Sequence, residues 1–363
     1  MQNYPCMKRF IECHLPSTAC NMECEYCYIT QQGERKKKKV DLSECVEKIK
    51  YAVSPERLGG ICMFNICAAG ETLIPKEIVP IVYDILSLGH YVMVVTNGTL
   101  TARFNEFCAF PEEYRKRLFF KCSLHYIELK KHDQLELYAN NIRLIKDAGI
   151  SFTVELTPDD SYIPYIPEIK KYCLDNFGAL CHITVSRDDR YADTPFLSKL
   201  PIEEFKKTWE EFDSELFEFK YSIFGVKRKE FCYAGDWDIC LNLQTGDYKQ
   251  CYKGKKIGNI YANMDKPLKY MAVGHNCPEP HCYNGHAFLG FGMIPDLDGV
   301  IDYADQRNRK CSDGTQWLSE PMEQFMRGRL KDANQEYDSL KKLSCDICSI
   351  NLKQKVKNLL RIN

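Results

Sequence analysis

Three cysteines stand close together near the start of the chain, in the stretch CNMECEYCY. Three residues separate Cys20 from Cys24, and two separate Cys24 from Cys27. Thiolates at this density suit zinc or an iron–sulfur cluster, and both usually take four protein ligands. With three cysteines, a four-iron cluster keeps one iron free of protein, and an open coordination position is where a substrate can bind. The alternative is a zinc loop completed by a distant ligand such as His14.

The elements that position this loop are predicted to alternate between strands and helices. Apolar runs of strand length are separated by amphipathic stretches with helical spacing. Such alternation favours βαβ units and a parallel sheet, and it leaves open whether the sheet is a barrel or doubly wound. The predicted strands are 9–15, 60–66, 91–97, 117–125, 151–157 and 181–187, and the predicted helices are 42–53, 76–89, 134–149 and 166–178.

The pattern changes after residue 187, where charged helical stretches give way to a cysteine-rich region. We place a domain boundary near residue 225, which divides the chain into 1–225 and 226–363. Eight of the 20 cysteines follow residue 230. The stretch 231–261 is predicted to contain a β-hairpin, because its TGDY sequence is typical of a hairpin turn.

Composition excludes several classes of partner. The formal net charge of the 363-residue chain is -1, which gives no electrostatic reason to bind nucleic acid or an anionic membrane. No apolar run reaches the roughly 18 residues of a membrane helix, and the first residues lack the apolar segment of a signal peptide. We therefore expect a soluble, cytoplasmic protein whose cysteines are metal ligands or buried thiols. The basic run at 35–39 is interpreted as a solvated loop.

The cysteine triplet, with Tyr26 just before its last cysteine, resembles the signature of the radical S-adenosylmethionine (SAM) enzymes. In that family the three cysteines hold a 4Fe-4S cluster, and its open iron binds SAM. Reductive cleavage of SAM gives a 5'-deoxyadenosyl radical, which takes a hydrogen atom from a substrate. The resemblance implies an α/β fold with a partial (β/α)6 TIM-like barrel and a smaller cysteine-rich C-terminal domain. It also implies an external reductant such as flavodoxin or ferredoxin.

Residues near the ends of the predicted strands resemble the SAM-binding positions of the family. The stretch AAGET resembles the Gly-Gly-Glu sequence that contacts the SAM amino group, with an alanine in place of the first glycine. The chain departs from the family where many members carry an arginine for the SAM carboxylate after the fourth strand; Arg143 or Arg187 could substitute. The cofactor-binding set implied by the resemblance is Tyr26, Ala69, Gly70, Glu71, Asn97, Ser123, His125, Glu155 and Arg187.

The second half resembles the auxiliary-cluster domains known as SPASM and twitch. It has a cysteine, a hairpin in which four residues separate Gly246 from Cys251, and the sequence IGNI at 257–260. The resemblance implies at least one auxiliary iron–sulfur cluster, held by Cys232, Cys240, Cys251 and one of Cys277 or Cys282. A second site, of iron–sulfur or zinc, is left open, and its candidate ligands are the remaining member of that pair with Cys345 and Cys348.

These features give the hypothesis of a radical SAM enzyme that acts on a peptide, a sugar or a small metabolite. Oxidation, cross-linking and epimerisation are the candidate outcomes, and no catalytic residue is assigned. The alternative is a non-enzymatic iron–sulfur or zinc protein that serves as an electron carrier or a metal-stapled scaffold. A carrier would need neither the AAGET stretch nor six βα units.

Overall fold

A computed structural model describes residues 4–35, 40–191 and 193–349. Most of the basic run predicted as a solvated loop, 36–39, lies outside them. No helix in the described ranges is both long and apolar enough to cross a membrane. The strands are β1 (Arg9–Leu15), β2 (Cys62–Ala68), β3 (Tyr91–Thr96), β4 (Leu118–Ser123), β5 (Ser151–Leu156), β6 (His182–Ile183), β7 (Asp238–Asn242), β8 (Asp247–Lys249) and β9 (Lys256–Asn259).

Helices follow most of the parallel strands. The three short 3-10 helices are Asp160–Tyr165, Glu210–Phe212 and Leu330–Asp332. The α-helices are α1 (Tyr28–Gln31), α2 (Ser43–Ala52), α3 (Pro55–Leu58), α4 (Ile78–Ser87), α5 (Thr101–Cys108), α6 (Glu112–Arg115), α7 (Tyr126–Lys131), α8 (Leu135–Asp147), α9 (Ile166–Phe177), α10 (Ile202–Trp209), α11 (Glu215–Ile223), α12 (Gly285–Gly290), α13 (Glu320–Arg327) and α14 (Ser339–Ser349).

The nine strands form one sheet in the order β6-β5-β4-β3-β2-β1-β7-β8-β9. Strands β1 to β6 are parallel and lie in the order of the sequence. A doubly wound sheet would reverse its order at a switch point, whereas a barrel keeps the order of the sequence. The other edge of β1 pairs with β7 and not with β6, so the sheet is not closed. The predicted α/β fold of a partial TIM-like barrel is confirmed.

The sixth strand is shorter than the sequence predicted. It ends at Ile183, which pairs with Leu156, the last residue of β5. Beyond that point the neighbouring strand offers no further partners, and the chain leaves the sheet. Arg187, predicted to end the strand, instead forms an isolated antiparallel bridge with Phe196.

The cysteine-rich half extends the sheet of the first half, which the sequence did not predict. The hairpin predicted in 231–261 is confirmed as β7 and β8, and its turn uses Gly246 at φ +73°, where a side chain would be strained. Strand β7 runs parallel to β1, and β9 carries most of the IGNI sequence. The boundary between 1–225 and 226–363 stays a prediction, because both segments contribute strands to one sheet.

The two faces of the parallel sheet have different partners. The outer face is apolar and packs in one core with the helices: among its members are Ile11, Cys13, Phe64, Val94, Phe120 and Val154. Near the strand starts, the inner face packs against residues from the second half: among these contacts are Phe10, Met63, Met93 and Phe119 with Phe288, Phe291, Tyr303 and Phe325. The C-terminal region therefore closes the lower end of the sheet's inner face.

Candidate active site

A cavity of about 660 Å³ lies on the inner face of the sheet, between the apolar contacts at the strand starts and the carboxyl ends of the strands. Its size lies in the range of sites for small ligands. Residues of the second half form one wall, from Tyr252 and from the segment 281–287. Among the predicted site residues, those that line it are Tyr26, Cys27, Ser123, His125, Glu155, Arg187 and Cys282.

The cysteine triplet occupies the loop between β1 and α1, at the edge of this cavity. Cys27 lines the cavity, and its backbone N–H donates to the carbonyl of Cys24 at 3.2 Å. The pKa of Cys24 is raised to about 12, mainly by burial, and the charges of Glu128, Cys27 and Cys20 contribute to this rise. Cys24 therefore lies within electrostatic reach of both other cysteines of the triplet. All 20 cysteines of the chain are free thiols.

The donor chemistry of this loop fits an iron–sulfur cluster. It offers three free thiols at the carboxyl edge of a parallel sheet, one of them facing the cavity. Within the described ranges, no three Cys, His, Asp or Glu side chains are gathered closely enough to hold a metal ion. A cluster distributes its thiolates over several irons, so it does not require such a tight group.

Gly70 is the contact point between the β2 loop and the cysteine loop. Its N–H donates to the carbonyl of Ser17 at 2.7 Å, and the N–H of Glu71 donates to that of Ala19 at 2.8 Å. A Cβ atom on Gly70 would lie 2.0 Å from the Ala19 carbonyl oxygen. The small residue is thus required by the backbone of the cysteine loop. Its predicted place in the SAM-binding set stays a prediction.

We expect Gly70→Ala to displace the cysteine loop and to lower the iron bound at the triplet at least about fivefold. The reason is the clash with the Ala19 backbone, which cannot rotate away as a side chain could. Iron and sulfide analysis after anaerobic reconstitution measures the effect. Gly149→Ala is the matched control, because its φ of +73° adds backbone strain but its Cβ would meet nothing within 4 Å. Equal iron content in the two variants would contradict this role.

Glu71 is held entirely by protein groups. One carboxylate oxygen accepts from the Thr96 hydroxyl at 2.7 Å and the Leu73 N–H at 2.9 Å, and the other accepts from the Asn97 N–H at 2.7 Å. The residue is 2% exposed, and burial raises its pKa. Glu71 therefore ties the β2 loop to the end of β3. It does not line the cavity, and its predicted contact with SAM stays a prediction.

Asn97 connects the end of β3 to the cysteine loop. Its amide nitrogen donates to the Asn21 side-chain oxygen at 2.7 Å and approaches the Cys20 sulfur at 3.9 Å. Its amide oxygen accepts from the Thr99 N–H at 3.2 Å and from the Thr99 hydroxyl at 2.7 Å. The side chain is thereby fixed in orientation, with its N–H groups toward the first cysteine. Like Ala69 and Gly70, it lies outside the cavity lining.

The end of β4 contributes a neutral histidine beside the cysteine loop. Burial lowers the pKa of His125 to about 4, so the imidazole is uncharged at neutral pH. Its Nδ1 forms a short hydrogen bond with the hydroxyl of Tyr26, which also accepts from the Tyr162 hydroxyl at 3.3 Å. Ser123 lines the cavity two residues earlier. This network positions the aromatic ring next to Cys27.

Two charged residues of the predicted set face the cavity. Glu155 is buried and forms ion pairs with Arg307 and, at 3.3 Å, with Lys121. Arg187 donates to the Tyr283 carbonyl at 3.3 Å. Of the two arginines proposed to replace the family's SAM-carboxylate ligand, Arg187 lines the cavity, whereas Arg143 is exposed on α8.

The sequence analysis missed several cavity residues. Three of them interrupt apolar strands with a polar side chain, a pattern that could have identified them: Glu12, Asn65 and Lys121. The others come from distant segments and carried no such signal: among them are Lys220, Asn284 and Tyr303.

Glu12 connects the two halves of the chain inside the cavity. Its carboxylate accepts from the Asn65 amide at 2.7 Å and from the Asn284 amide at 3.0 Å. The side chain is 3% exposed, and burial raises its pKa. Its charged form is disfavoured, and its oxygens already accept hydrogen bonds. Glu12 therefore serves mainly to hold the 281–287 segment in place beside the cavity.

Four cysteines of the second half come together: Cys232, Cys251, Cys277 and Cys282. The pKa of Cys282 is raised to about 12, mainly by burial, and the thiolates of Cys277 and Cys251 contribute to this rise. Burial also raises the pKa of Cys232, with contributions from Cys282 and Cys251. Each of the four therefore lies within electrostatic reach of at least two of the others.

The remaining predicted ligands lie differently. Cys240 is on β7, paired with Lys249, and in the parallel register with β1 it lies beside Glu12. Its electrostatic interaction with the group of four is with Cys251. Cys345 and Cys348 lie on α14, where Asp346 accepts from the His275 N–H at 2.9 Å and so docks this helix near Cys277.

Residues 15–158 match the family model of the radical SAM superfamily. This chain carries a radical SAM domain. The matched segment contains the cysteine triplet and strands β2 to β5. Among curated proteins, none matches the chain.

Solved structures similar to the chain share little sequence with it. Streptococcus suis SuiB bound to S-adenosylmethionine is 13% identical, with a TM-score of 0.49, and the match covers 71% of this chain and 65% of SuiB. Native anSMEcpe with bound AdoMet is 15% identical, with a TM-score of 0.43, and 70% and 79% of the two chains are covered. A TM-score below 0.5 does not by itself establish a shared fold. The chain spans less than two thirds of the length of SuiB.

Proposed function

We propose that the protein is a radical SAM enzyme that cleaves SAM reductively and removes a hydrogen atom from a polar substrate in the cavity. The observation that carries the proposal is the composition of that cavity. Tyr26 and Cys27 of the radical SAM domain contribute to its lining, and so does the segment 281–287 of the second half, which includes Cys282. A carrier or scaffold would need no cavity lined by both of its sets of cysteines.

A 4Fe-4S cluster at the triplet, when bound, supplies the electron that cleaves SAM and an iron that holds it. The chain's own residues prepare this position. Asn97 orients its N–H groups toward Cys20, and Gly70 allows the cysteine loop to lie against the β2 loop. Ser123 and Arg187 are the cavity-lining groups proposed to bind the ribose and the carboxylate of SAM.

The second half is proposed to hold one auxiliary cluster. Its ligands would be Cys232, Cys251, Cys277 and Cys282, each of which lies within electrostatic reach of at least two of the others. This set keeps three of the residues suggested by the sequence and replaces Cys240 by the second member of the 277/282 pair. Cys282 also lines the cavity, so a cluster there would border the substrate. Such a position suits the transfer of an electron from the substrate.

The test is formation of 5'-deoxyadenosine. The anaerobically reconstituted full-length protein, given dithionite and SAM, is expected to release it even without a substrate. Replacing Cys20, Cys24 and Cys27 together by alanine should reduce the rate at least about a hundredfold, because the cluster loses all its protein ligands. Liquid chromatography with mass detection measures the product. No product from a wild-type sample with a full iron content would contradict the proposal.

A further inference from the structure

We propose that the cavity contains an anion-binding subsite, formed by Lys121 and Lys220, that takes a carboxylate or phosphate group of the substrate. The subsite deepens the proposed function by naming the chemical class of the substrate. Only the role of the bound anion as a substrate group rests on that function, because the subsite itself follows from the charges in the cavity.

Both lysines line the cavity and have donors to spare. Lys121 lies on the inner face of β4, and its Nζ is 3.3 Å from a carboxylate oxygen of Glu155. Lys220, on α11, donates to the Thr184 hydroxyl. An ammonium group has three N–H donors. Each lysine can therefore offer further hydrogen bonds to a ligand.

The charges around these lysines do not balance. Glu155 already pairs with Arg307, a residue that is 0% exposed. One carboxylate thus faces three basic side chains: Lys121, Lys220 and Arg307. Burial lowers the pKa of Lys220, and the charges of Lys121, Arg187 and Arg307 lower it as well, so its ammonium form lacks a sufficient negative partner. Glu12 compensates only in part, since the charge of Lys121 lowers its pKa but burial, the larger cause, raises it. Two amides also occupy its oxygens. Uncompensated positive charge in a buried site is costly, and an anionic ligand would offset it.

A buried histidine beside the lysines also lacks a partner. His286 lines the cavity and is 9% exposed, and its Nδ1 has no hydrogen-bond partner among the described residues. Burial lowers the pKa of His286, and the positive charges of Lys220, Arg307 and Lys121 lower it further. Most buried polar atoms have a hydrogen-bond partner. A ligand oxygen near the lysines would give this nitrogen one.

The subsite lies deeper in the sheet than the SAM position. Lys121 precedes Ser123 by two residues, which corresponds to about 6–7 Å along a strand. The cysteine loop, in contrast, follows the last residue of β1. The anion held by Lys121 and Lys220 is therefore assigned to the substrate rather than to the carboxylate of SAM.

Titration calorimetry on the reconstituted, SAM-loaded full-length protein tests the subsite. The probes are inorganic phosphate, acetate and, as a cation of similar size, methylammonium. Phosphate or acetate is expected to bind, and methylammonium is not. Lys121→Met and Lys220→Met should each weaken anion binding at least about tenfold, because each removes a charged hydrogen-bond donor. The stronger of the two anions indicates whether the substrate carries a phosphate or a carboxylate. Lys48→Met, in a surface ion pair of α2, is the matched control.

Several outcomes would overturn the subsite. The proposal is wrong if the wild-type protein binds neither anion, or if it binds methylammonium as well as the anions. It is also wrong if the Lys121 and Lys220 variants weaken SAM binding but not anion binding, since that result assigns the lysines to the SAM carboxylate. Circular dichroism identifies any variant that fails to fold. In that case the subsite is tested by whether the wild-type protein binds the anions and not methylammonium. Release of 5'-deoxyadenosine is measured separately, so failure of the proposed function is distinguishable.

Discussion

Replacing Cys251 and Cys282 together by alanine is expected to remove about four irons and four sulfides per chain, while the triplet keeps its cluster. The physical reason is that these two thiols belong to the group of four that lie within reach of one another. Iron and sulfide analysis, with electron paramagnetic resonance of the reduced protein, measures the loss. Formation of 5'-deoxyadenosine should persist, because the triplet is intact.

Cys240→Ala is the matched control for this experiment. Cys240 is also buried in the second half, but its place on β7 beside Glu12 puts it outside the group of four. Its variant should keep the full iron content. An equal loss of iron from Cys240→Ala would contradict the proposed ligand set and restore the set favoured by the sequence alone. Loss of all iron from the Cys251 and Cys282 variant would show that the two halves do not load independently.

Glu155→Gln is expected to lower the free energy of unfolding by about 3–5 kcal/mol, because it leaves buried positive charge without its carboxylate. Arg307 is 0% exposed, and Lys121 and Lys220 lie close by. For 363 residues at about 2.1 cal/mol/K per residue, this loss corresponds to roughly 4–7 °C in the unfolding midpoint. Anaerobic differential scanning calorimetry measures the shift.

The other partner of the pair gives a second comparison. Arg307→Met should destabilise less than Glu155→Gln, because Lys121 remains 3.3 Å from the carboxylate and still neutralises it. The double variant should be more stable than the sum of the two single losses predicts. Glu44→Gln, in an exposed pair with Lys48, should change stability by at most about 0.5 kcal/mol. Equal losses for Glu155→Gln and Glu44→Gln would rule out the buried charge imbalance.

The sequence predicted the part of the fold that local pattern controls. The first five strands begin and end within about two residues of the predicted bounds, because buried strands between helices carry an apolar signal of their own. The triplet Cys20, Cys24 and Cys27 likewise predicted a radical SAM domain through its resemblance to the signature of that family, and residues 15–158 match the family model. The sixth strand was predicted too long because its end depends on where β5 ends, a property of its neighbour.

Tertiary structure decided how the second half meets the first. No local pattern in the sequence of β7, DICLN, indicates that this strand pairs with β1, because a parallel partner can come from any distance along the chain. The same holds for Arg307 with Glu155, for Lys220 beside Lys121, and for Cys277 and Cys282 with Cys232. The spacing of residues in the sequence can identify ligands that share a loop. These groups, in contrast, come together only when the second half of the chain covers the inner face of the sheet. The sequence by itself therefore predicted the cysteine triplet as the reaction centre, because its residues share one loop. The fold determined the cavity beside it, because that cavity is lined by residues from distant parts of the chain.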